Sequence, residues 1–214
     1  MKCRIVSLSF LAMLLMLTMA ASAQNWNRLD FSAGAGFSTP TDAAGRNLNT
    51  GWNLDFRGGY NVNRHFAADL DVGYRYWDLN SAALAVFAEP GGHVSVWSFA
   101  FQPMIRMLPR RSAANAYITA GAGIDYRNLT LTRPSTVTTI VCDPFFGCFP
   151  AIVPADQVVA SFSTAKPGFN AGGGFEVRLG QSRARVFAEA RYQRMFTTHG
   201  EDLTYVPVTF GLRW

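Results

Sequence analysis

The chain has 214 residues and a formal net charge of +5, and it is 14% aromatic but only 15% charged. Its length is enough for one domain with a core of its own, and its small, scattered excess of cations gives no argument for a nucleic-acid partner. Beyond residue 23 no window of about 18 uninterrupted apolar residues occurs, so we expect no membrane-spanning helix in the mature chain.

The predicted elements begin with a secretory signal peptide at residues 1–23. A basic start, Lys2 and Arg4, precedes a short apolar run, and Ala21-Ser22-Ala23 fits the small-residue cleavage rule. An uncut membrane anchor is the alternative, but the run is short for a spanning helix, which needs about 20 apolar residues. We therefore expect residues 24–214 to form the mature domain.

Eight β-strands are predicted in the rest of the chain, because apolar and polar residues alternate there with a period of two. Each run has about the 9–11 residues that a tilted strand needs to cross a bilayer. The predicted strands are residues 29–38, 52–60, 66–77, 97–106, 118–127, 169–178, 186–193 and 205–214.

The connections between these strands alternate in length. Those at 62–65 and 179–183 are short and the one at 107–116 is intermediate, whereas the others are long, above all 128–160. Long and short connections on alternate ends are typical of an up-and-down barrel with one elaborated rim. A β-sandwich gives no reason for this alternation.

The polar face of the predicted strands carries acids and arginines in balanced number, together with most of the glycines. An eight-stranded barrel has an interior only just wide enough for side chains, so opposite charges can pair there and glycines leave room for long arginines. Acid–base catalysis is the alternative, but charges dispersed over all the strands favour a structural network. Besides Asp30, the polar set contains the expected lumen ion-pair network, which is Asp55, Arg57, Asp69, Asp71, Arg75, Arg106, Asp125, Arg127, Glu176, Arg178, Glu189, Arg191 and Arg213.

Aromatic residues cluster near the ends of the predicted strands. Two aromatic girdles around an apolar band are expected of a protein in lipid, where every backbone polar group must be paired and a sheet must therefore close into a barrel. With the amino end on the periplasmic side, the outer girdle is predicted to contain Trp52, Tyr74, Tyr76, Trp97, Tyr126 and Tyr192, and the inner girdle Tyr60, Phe66 and Trp214.

The longest connection, residues 128–160, is the strongest candidate for binding an extracellular ligand. It contains "IVCDPFFGCFPAIVP", which is unusually apolar for exposed sequence. Cys142 and Cys148 are expected to form a disulfide in an exported chain, with two free thiols as the alternative; two ligands are too few for zinc. A loop packed over the barrel mouth is the alternative to a binding loop.

Three stretches carry a resemblance to a known family: "GFNAGGGFEVRL" (168–179), "VFAEARYQ" (186–193) and the end "VTFGLRW". With the strand pattern, they make the chain resemble the small outer-membrane β-barrels of Gram-negative bacteria, similar to the OmpA transmembrane domain and OmpX. The resemblance implies an all-β, eight-stranded antiparallel up-and-down transmembrane barrel in the cell outer membrane, without a cofactor or a metal. Pro103 and Pro207 lie within predicted strands, which puts the local pairing there in doubt.

The resemblance also implies that the closing strand is recognised by the barrel-assembly machinery, with periplasmic chaperones and outer-membrane lipid as further partners. The barrel itself is expected to be a monomer. The residues of this expected C-terminal assembly signal are Val206, Val208, Phe210, Leu212 and Trp214.

The predicted role is structural or in surface interaction and not catalytic. A lipid A-modifying hydrolase on the same barrel is one alternative, because His93 and Ser95 match a histidine–serine pair in which histidine activates serine; no asparagine follows the serine, and no acidic partner is evident. His65 and His199 are expected in a turn and a loop. A soluble periplasmic lipocalin-like carrier is a further alternative and requires an apolar lumen.

Overall fold

The computed structural model describes residues 28–42, 46–145, 147–180, 182–197 and 202–214, where eight strands and one short helix are found. The predicted signal peptide and His199 lie outside the described residues. The elements are β1 (Leu29–Thr41), β2 (Gly51–Asn61), β3 (Phe66–Asp78), α1 (Ser81–Phe87), β4 (Gly91–Arg106), β5 (Ala114–Asp143), β6 (Gly147–Arg178), β7 (Arg185–Met195) and β8 (Leu203–Arg213).

Each strand pairs antiparallel with the next, and β8 pairs with β1, so the sheet closes into a barrel. The backbone N–H groups of Phe31 and Trp214 each donate to the other residue's carbonyl, at 3.0 and 2.9 Å. The seam continues from Ser32 opposite Arg213 to Thr41 opposite Thr204. The predicted eight-stranded antiparallel barrel is confirmed, and its last residue takes part in closing it.

Burial alternates along the strands in the sense opposite to that of a water-soluble barrel. In β7, Glu189 and Arg191 are buried inside the ring, whereas Val186 and Tyr192 are exposed on its outer wall. An apolar outer wall around a polar interior is typical of a sheet that faces lipid.

The two ends of the barrel differ. The end that holds Leu29 and Arg213, called the inner end below, has only short connections between β2 and β3, β4 and β5, and β6 and β7. The opposite, outer end carries α1, which Asn80 caps by accepting a hydrogen bond from the N–H of Ala83, and the long β5–β6 hairpin.

The prediction of a loop at 128–160 is wrong, because β5 and β6 continue through this segment as paired strands. Their register runs from Ala114 opposite Val177 to Asp143 opposite Gly147, with an irregularity between Leu131 and Thr132. The segment is rich in β-branched residues, which favour strands. Between residues 133 and 157 neither face is packed in a core, so the alternating pattern that marks the other strands is missing there.

Both prolines in question lie in strands and interrupt the pairing on one side only. Pro103 is opposite Ala68 of β3, but the β4–β5 ladder has no pairs between Phe101 and Met104. Pro207 is opposite Ser38 of β1, and the β7–β8 ladder is interrupted beside it. Since proline has no N–H to donate, each ladder loses bonds only on the side that would need that donor.

Candidate functional site in the barrel interior and at its two ends

The middle of the barrel holds a compact cluster of three arginines and three acids from β2, β3 and β7, called the central cluster. Arg191 contacts three carboxylates, those of Asp55 at 2.7 Å, Asp71 at 2.9 Å and Glu189 at 3.0 Å. Arg57 bonds Asp71 through Nε at 2.8 Å and Glu189 through Nη1 at 2.7 Å. Arg75 completes the cluster with a 2.7 Å bond to Asp55.

A second cluster lies nearer the inner end and is centred on Glu176. This carboxylate lies 2.9 Å from Arg213 and 3.3 Å from both Arg106 and Arg185. Arg106 also contacts Asp30 at 2.8 Å. Arg185 was not among the predicted network residues, although its odd position, two residues before Phe187 and four before Glu189, places it on the same inward face of β7.

Four predicted network residues form no ion pair among the described residues. Asp125 accepts a 3.1 Å hydrogen bond from Gln193, and Arg178 donates to the carbonyl of Arg110 at 3.4 Å. Asp69 is buried, with one carboxylate oxygen unpartnered among the described residues. Arg127 lies half-buried near the outer mouth. The odd or even position of a charged residue along a strand therefore identifies the face of the sheet on which it lies, but it does not show whether the residue forms an ion pair.

Uncharged polar side chains, which the sequence analysis did not single out, complete the interior. Asn53 donates to Thr209 at 2.7 Å, and Thr209 donates to Asp55 at 2.9 Å. Gln102 accepts from Arg191 at 3.0 Å. These residues alternate with the apolar ones as the charged residues do, which is the signal that could have identified them.

Glycine provides the space for one of these arginines. A Cβ atom at Gly73 would overlap Nη1 of Arg75, so any other residue at that position would displace the guanidinium. The predicted pairing of glycines with long arginines is therefore realised at this position.

The interior is not polar throughout, contrary to the expectation of a polar lumen. Near the outer end Trp77, Val94, Val96, Met195 and Tyr205 are buried in one apolar cluster. The indole N–H of Trp77 donates to the carbonyl of Ser38 at 3.0 Å, and its ring packs 4.8 Å from that of Tyr205. These residues occupy the same alternate positions along their strands as the charged ones. Nothing in the sequence indicated that the interior changes from charged to apolar toward the outer end.

An aromatic row covers the outer wall near the outer end. Tyr74 lies 5.3 Å from Trp52 and 4.8 Å from Trp97 between ring centroids, and Tyr126 is opposite Trp97 in the sheet. At the other end, Tyr60 and Trp214 are also exposed on the wall, as are Phe210 and Leu212 of the closing strand. The predicted tryptophans and tyrosines thus form two bands, and the wall between them exposes aliphatic and phenylalanine side chains such as Leu70 and Phe99.

The histidine–serine pair lies on the outer wall and not in a cavity. The ring of His93 stacks on Tyr76 at 5.0 Å, and among the described residues no hydrogen bond joins it to Ser95. Asp78 is opposite His93 in the sheet, an acidic neighbour that was not evident from the sequence. No group of three or more histidine, cysteine, aspartate or glutamate residues suited to a metal ion occurs in the described part of the chain. Nor do these residues include a helix long and apolar enough to cross a membrane.

Beyond the barrel the β5–β6 hairpin continues as a two-stranded segment, residues 133–157, called the ribbon. Large apolar side chains are exposed on it, with Ile140 at 70% and Ile152 at 73% of full exposure. A Cys142–Cys148 disulfide joins the two strands near the tip. At the base Arg133 bonds Glu89 of the β3–β4 connection at 2.7 Å.

A further ion pair orders the outer end of β7. Asp202 accepts from the backbone N–H of Thr197 and from Nε of Arg194, both at 2.8 Å. These bonds, that of Thr197 first, hold the pKa of the Asp202 carboxyl below its usual range.

Comparisons with known proteins agree with this architecture. The model of the outer membrane protein beta-barrel domain matches residues 8–214, and no curated protein sequence matches the chain. Neisserial surface protein A is similar in structure, with a TM-score of 0.55 at 13% identity over 86% of this chain and 95% of that chain. A major outer membrane protein of Thermus thermophilus has a TM-score of 0.53 at 10% identity, over 87% and 98% of the two chains.

Proposed function

Because the chain belongs to the outer membrane protein β-barrel family, we propose that it is a surface-interaction protein whose barrel holds the ribbon outward for contact with a partner protein. The observation that carries the proposal is the ribbon itself. Each of its strands continues for about eleven residues past the barrel, which corresponds to about 36 Å at about 3.3 Å per residue.

The composition of the ribbon favours a protein partner. Among residues 133–157 the charged ones are Arg133, Asp143 and Asp156, whereas Val, Ile, Phe and Pro are frequent. Exposed apolar side chains in one contiguous region mark interaction sites. Within the described chain both outer edges of the ribbon are unpaired, and a free strand edge can accept a strand of another protein through main-chain hydrogen bonds.

The barrel suits the role of a support. Ion pairs fill its centre and apolar side chains fill its outer end, and eight strands leave no room for a wide channel. Passage of large solutes is therefore not part of the proposal. A soluble carrier would need an apolar lumen, which the charged centre does not provide. Catalysis at His93 and Ser95 is not part of the proposal either.

The outward residues of β8 are proposed to be the assembly signal. Phe210, Leu212 and Trp214 are about half exposed on the wall, and the same strand closes the ring against β1. A machinery that recognises the last strand would find an apolar edge that ends in an aromatic residue.

Photo-crosslinking in living cells tests the interaction. A photoreactive amino acid at Ile140 or Ile152 should give a discrete protein adduct, because both side chains point into solvent. The control position is Val86 in α1, which is 82% exposed at the same end of the barrel. Adducts to lipid only, or the same adduct from Val86, would contradict the proposal. As a second test, deletion of residues 139–154 should abolish the adduct from a probe at Val137 while the barrel still assembles.

A further inference from the structure

Seven arginines line one concave surface at the inner mouth of the barrel, and no aspartate or glutamate side chain of the described chain lines it. Three of them, Arg64, Arg111 and Arg183, lie in the three inner connections and are exposed. Among the described residues their guanidinium groups form no ion pair or hydrogen bond. Arg110 and Arg185 also contact the acids Asp30 and Glu176, but a surface that arginines line without acidic side chains has a raised positive potential and concentrates anions.

These arginines come from the whole circumference of the ring. Arg28 precedes β1, Arg64 follows β2, Arg110 and Arg111 lie between β4 and β5, and Arg183 precedes β7. A surface lined from all these elements lies across the barrel axis. Lipid headgroups lie beside the outer wall, so one headgroup could contact only arginines that are neighbours around the rim.

Two further arginines hold part of this surface in place. Arg178 donates to the carbonyl of Arg110 at 3.4 Å, and Arg185 donates to that of Ser112 at 3.1 Å. Arg185 is itself fixed by Glu176, 3.3 Å away. The connection that carries Arg110 and Arg111 is thus anchored to the inner ion-pair cluster, which reduces the ordering cost of binding a ligand.

We propose that the inner mouth binds an anionic polymer of the periplasm through its carboxylates. Guanidinium forms paired, charge-assisted hydrogen bonds with carboxylates and is less strongly hydrated than ammonium. Short connections are characteristic of the periplasmic side of such barrels, so the surface opens toward that compartment. The proposal does not depend on the ribbon or on its partner.

The probe is a preparation of isolated peptidoglycan sacculi, which carry free peptide carboxylates. The full chain is placed in nanodiscs of zwitterionic lipid and sedimented with sacculi at low salt. The test variant is Arg64→Gln, Arg111→Gln and Arg183→Gln combined, which removes three charges whose side chains have no partner among the described residues. Heat-modifiable gel migration verifies that it is folded.

The matched control removes three charges from the outer end, as Arg46→Gln, Arg127→Gln and Arg133→Gln combined. We expect the affinity for sacculi to fall by about tenfold or more in the inner variant, since several charge-assisted bonds are lost, and to stay within about twofold in the control. Wild-type binding should also weaken as salt is added, because salt screens exposed charges.

Three results would overturn the proposal. The first is a wild-type chain that fails to sediment with sacculi, and the second is equal binding by the inner variant and the control. In the third, the inner variant still binds sacculi as the wild type does but no longer enriches anionic phospholipid from mixed bilayers. That result would identify lipid headgroups as the ligand.

Discussion

The β5–β6 hairpin contains two regions that have different surroundings. Within the barrel, residues such as Tyr117 and Asp125 are buried while Ile118 and Ile124 cover the wall, so each face has its own environment. In the ribbon both faces meet solvent, and Ile140 and Ile152 remain exposed. One pair of strands can thus form part of a filled barrel and then project from it as a surface element.

The stability of the two regions has different sources. The barrel segment is paired on both edges and packed on one face, whereas the ribbon is held by the pairing between its own strands, one disulfide and the Arg133–Glu89 pair. An isolated two-stranded hairpin is marginally stable in water. We therefore expect changes in the barrel to affect folding and changes in the ribbon to affect contacts outside it.

Breaking the central cluster should have the largest effect. Arg191→Met removes a cation that contacts all three carboxylates, those of Asp55, Asp71 and Glu189, and removal of one partner from a buried ion pair costs about 3–5 kcal/mol. Urea unfolding in lipid vesicles would measure it. The matched change in the ribbon, Arg133→Met, breaks one exposed pair and should cost about 0–1 kcal/mol. Equal losses in the two variants would contradict the distinction.

Removal of Trp214 should have the next largest effect. The closing seam would lose the two backbone hydrogen bonds with Phe31, worth about 1 kcal/mol each, and the aromatic anchor on the wall. The yield of folded, heat-modifiable barrel in the membrane should fall several-fold. Deletion of Ala88, in the β3–β4 connection, is the control. An equal loss of folded barrel in the two deletions would contradict the role of Trp214 in closing the seam.

Filling the space beside Arg75 should have a smaller effect. Gly73→Ala places a Cβ where the guanidinium lies, and overpacking of this kind costs about 1–3 kcal/mol. The control is Gly58→Ala, where the new Cβ would meet only ring atoms of Phe31, the nearest at 3.4 Å. Denaturation midpoints of the two variants provide the comparison, and an unchanged midpoint for Gly73→Ala would show that the arginine can move away freely.

Loss of the disulfide should have the smallest effect on the barrel. Cys142→Ser with Cys148→Ser should speed hydrogen exchange at ribbon amides such as Val141 and Phe149, because only strand pairing then holds the tip. Exchange at Ile118 and Ile124 in the barrel should be unchanged. Mass spectrometry of peptides from both regions would show the difference, and faster exchange throughout β5 would mean that the two regions unfold together.

The alternating pattern was sufficient to predict which side chains face into the barrel, because the inner face requires polar residues and the outer face requires apolar ones. It placed Glu189 and Arg191 inside and Val186 outside. It did not predict that Arg57 would meet Glu189, 132 positions away, because partners across a lumen depend on the size and stagger of the ring.

Neither the ribbon nor the apolar cluster inside the outer end of the barrel was predicted, and the reasons are related. The ribbon has no buried face, so its strands lack the period on which the prediction depended. Trp77 and Val94 have the parity of interior residues, but parity does not give their height along the barrel axis. Arg185, one residue before the predicted seventh strand, was missed because strand ends are the least certain part of a pattern.

We expect the barrel to fold without the ribbon, which is an addition to it. The most direct measurement is the unfolding midpoint of a variant in which residues 134–156 are replaced by Asn-Gly, a sequence that forms tight hairpin turns. We expect a folded barrel with a midpoint within about 2 °C of the wild type, since a change of 1 kcal/mol shifts the midpoint of a domain of this size by about 2–4 °C. Loss of the folded form, or a drop of about 10 °C or more, would contradict it.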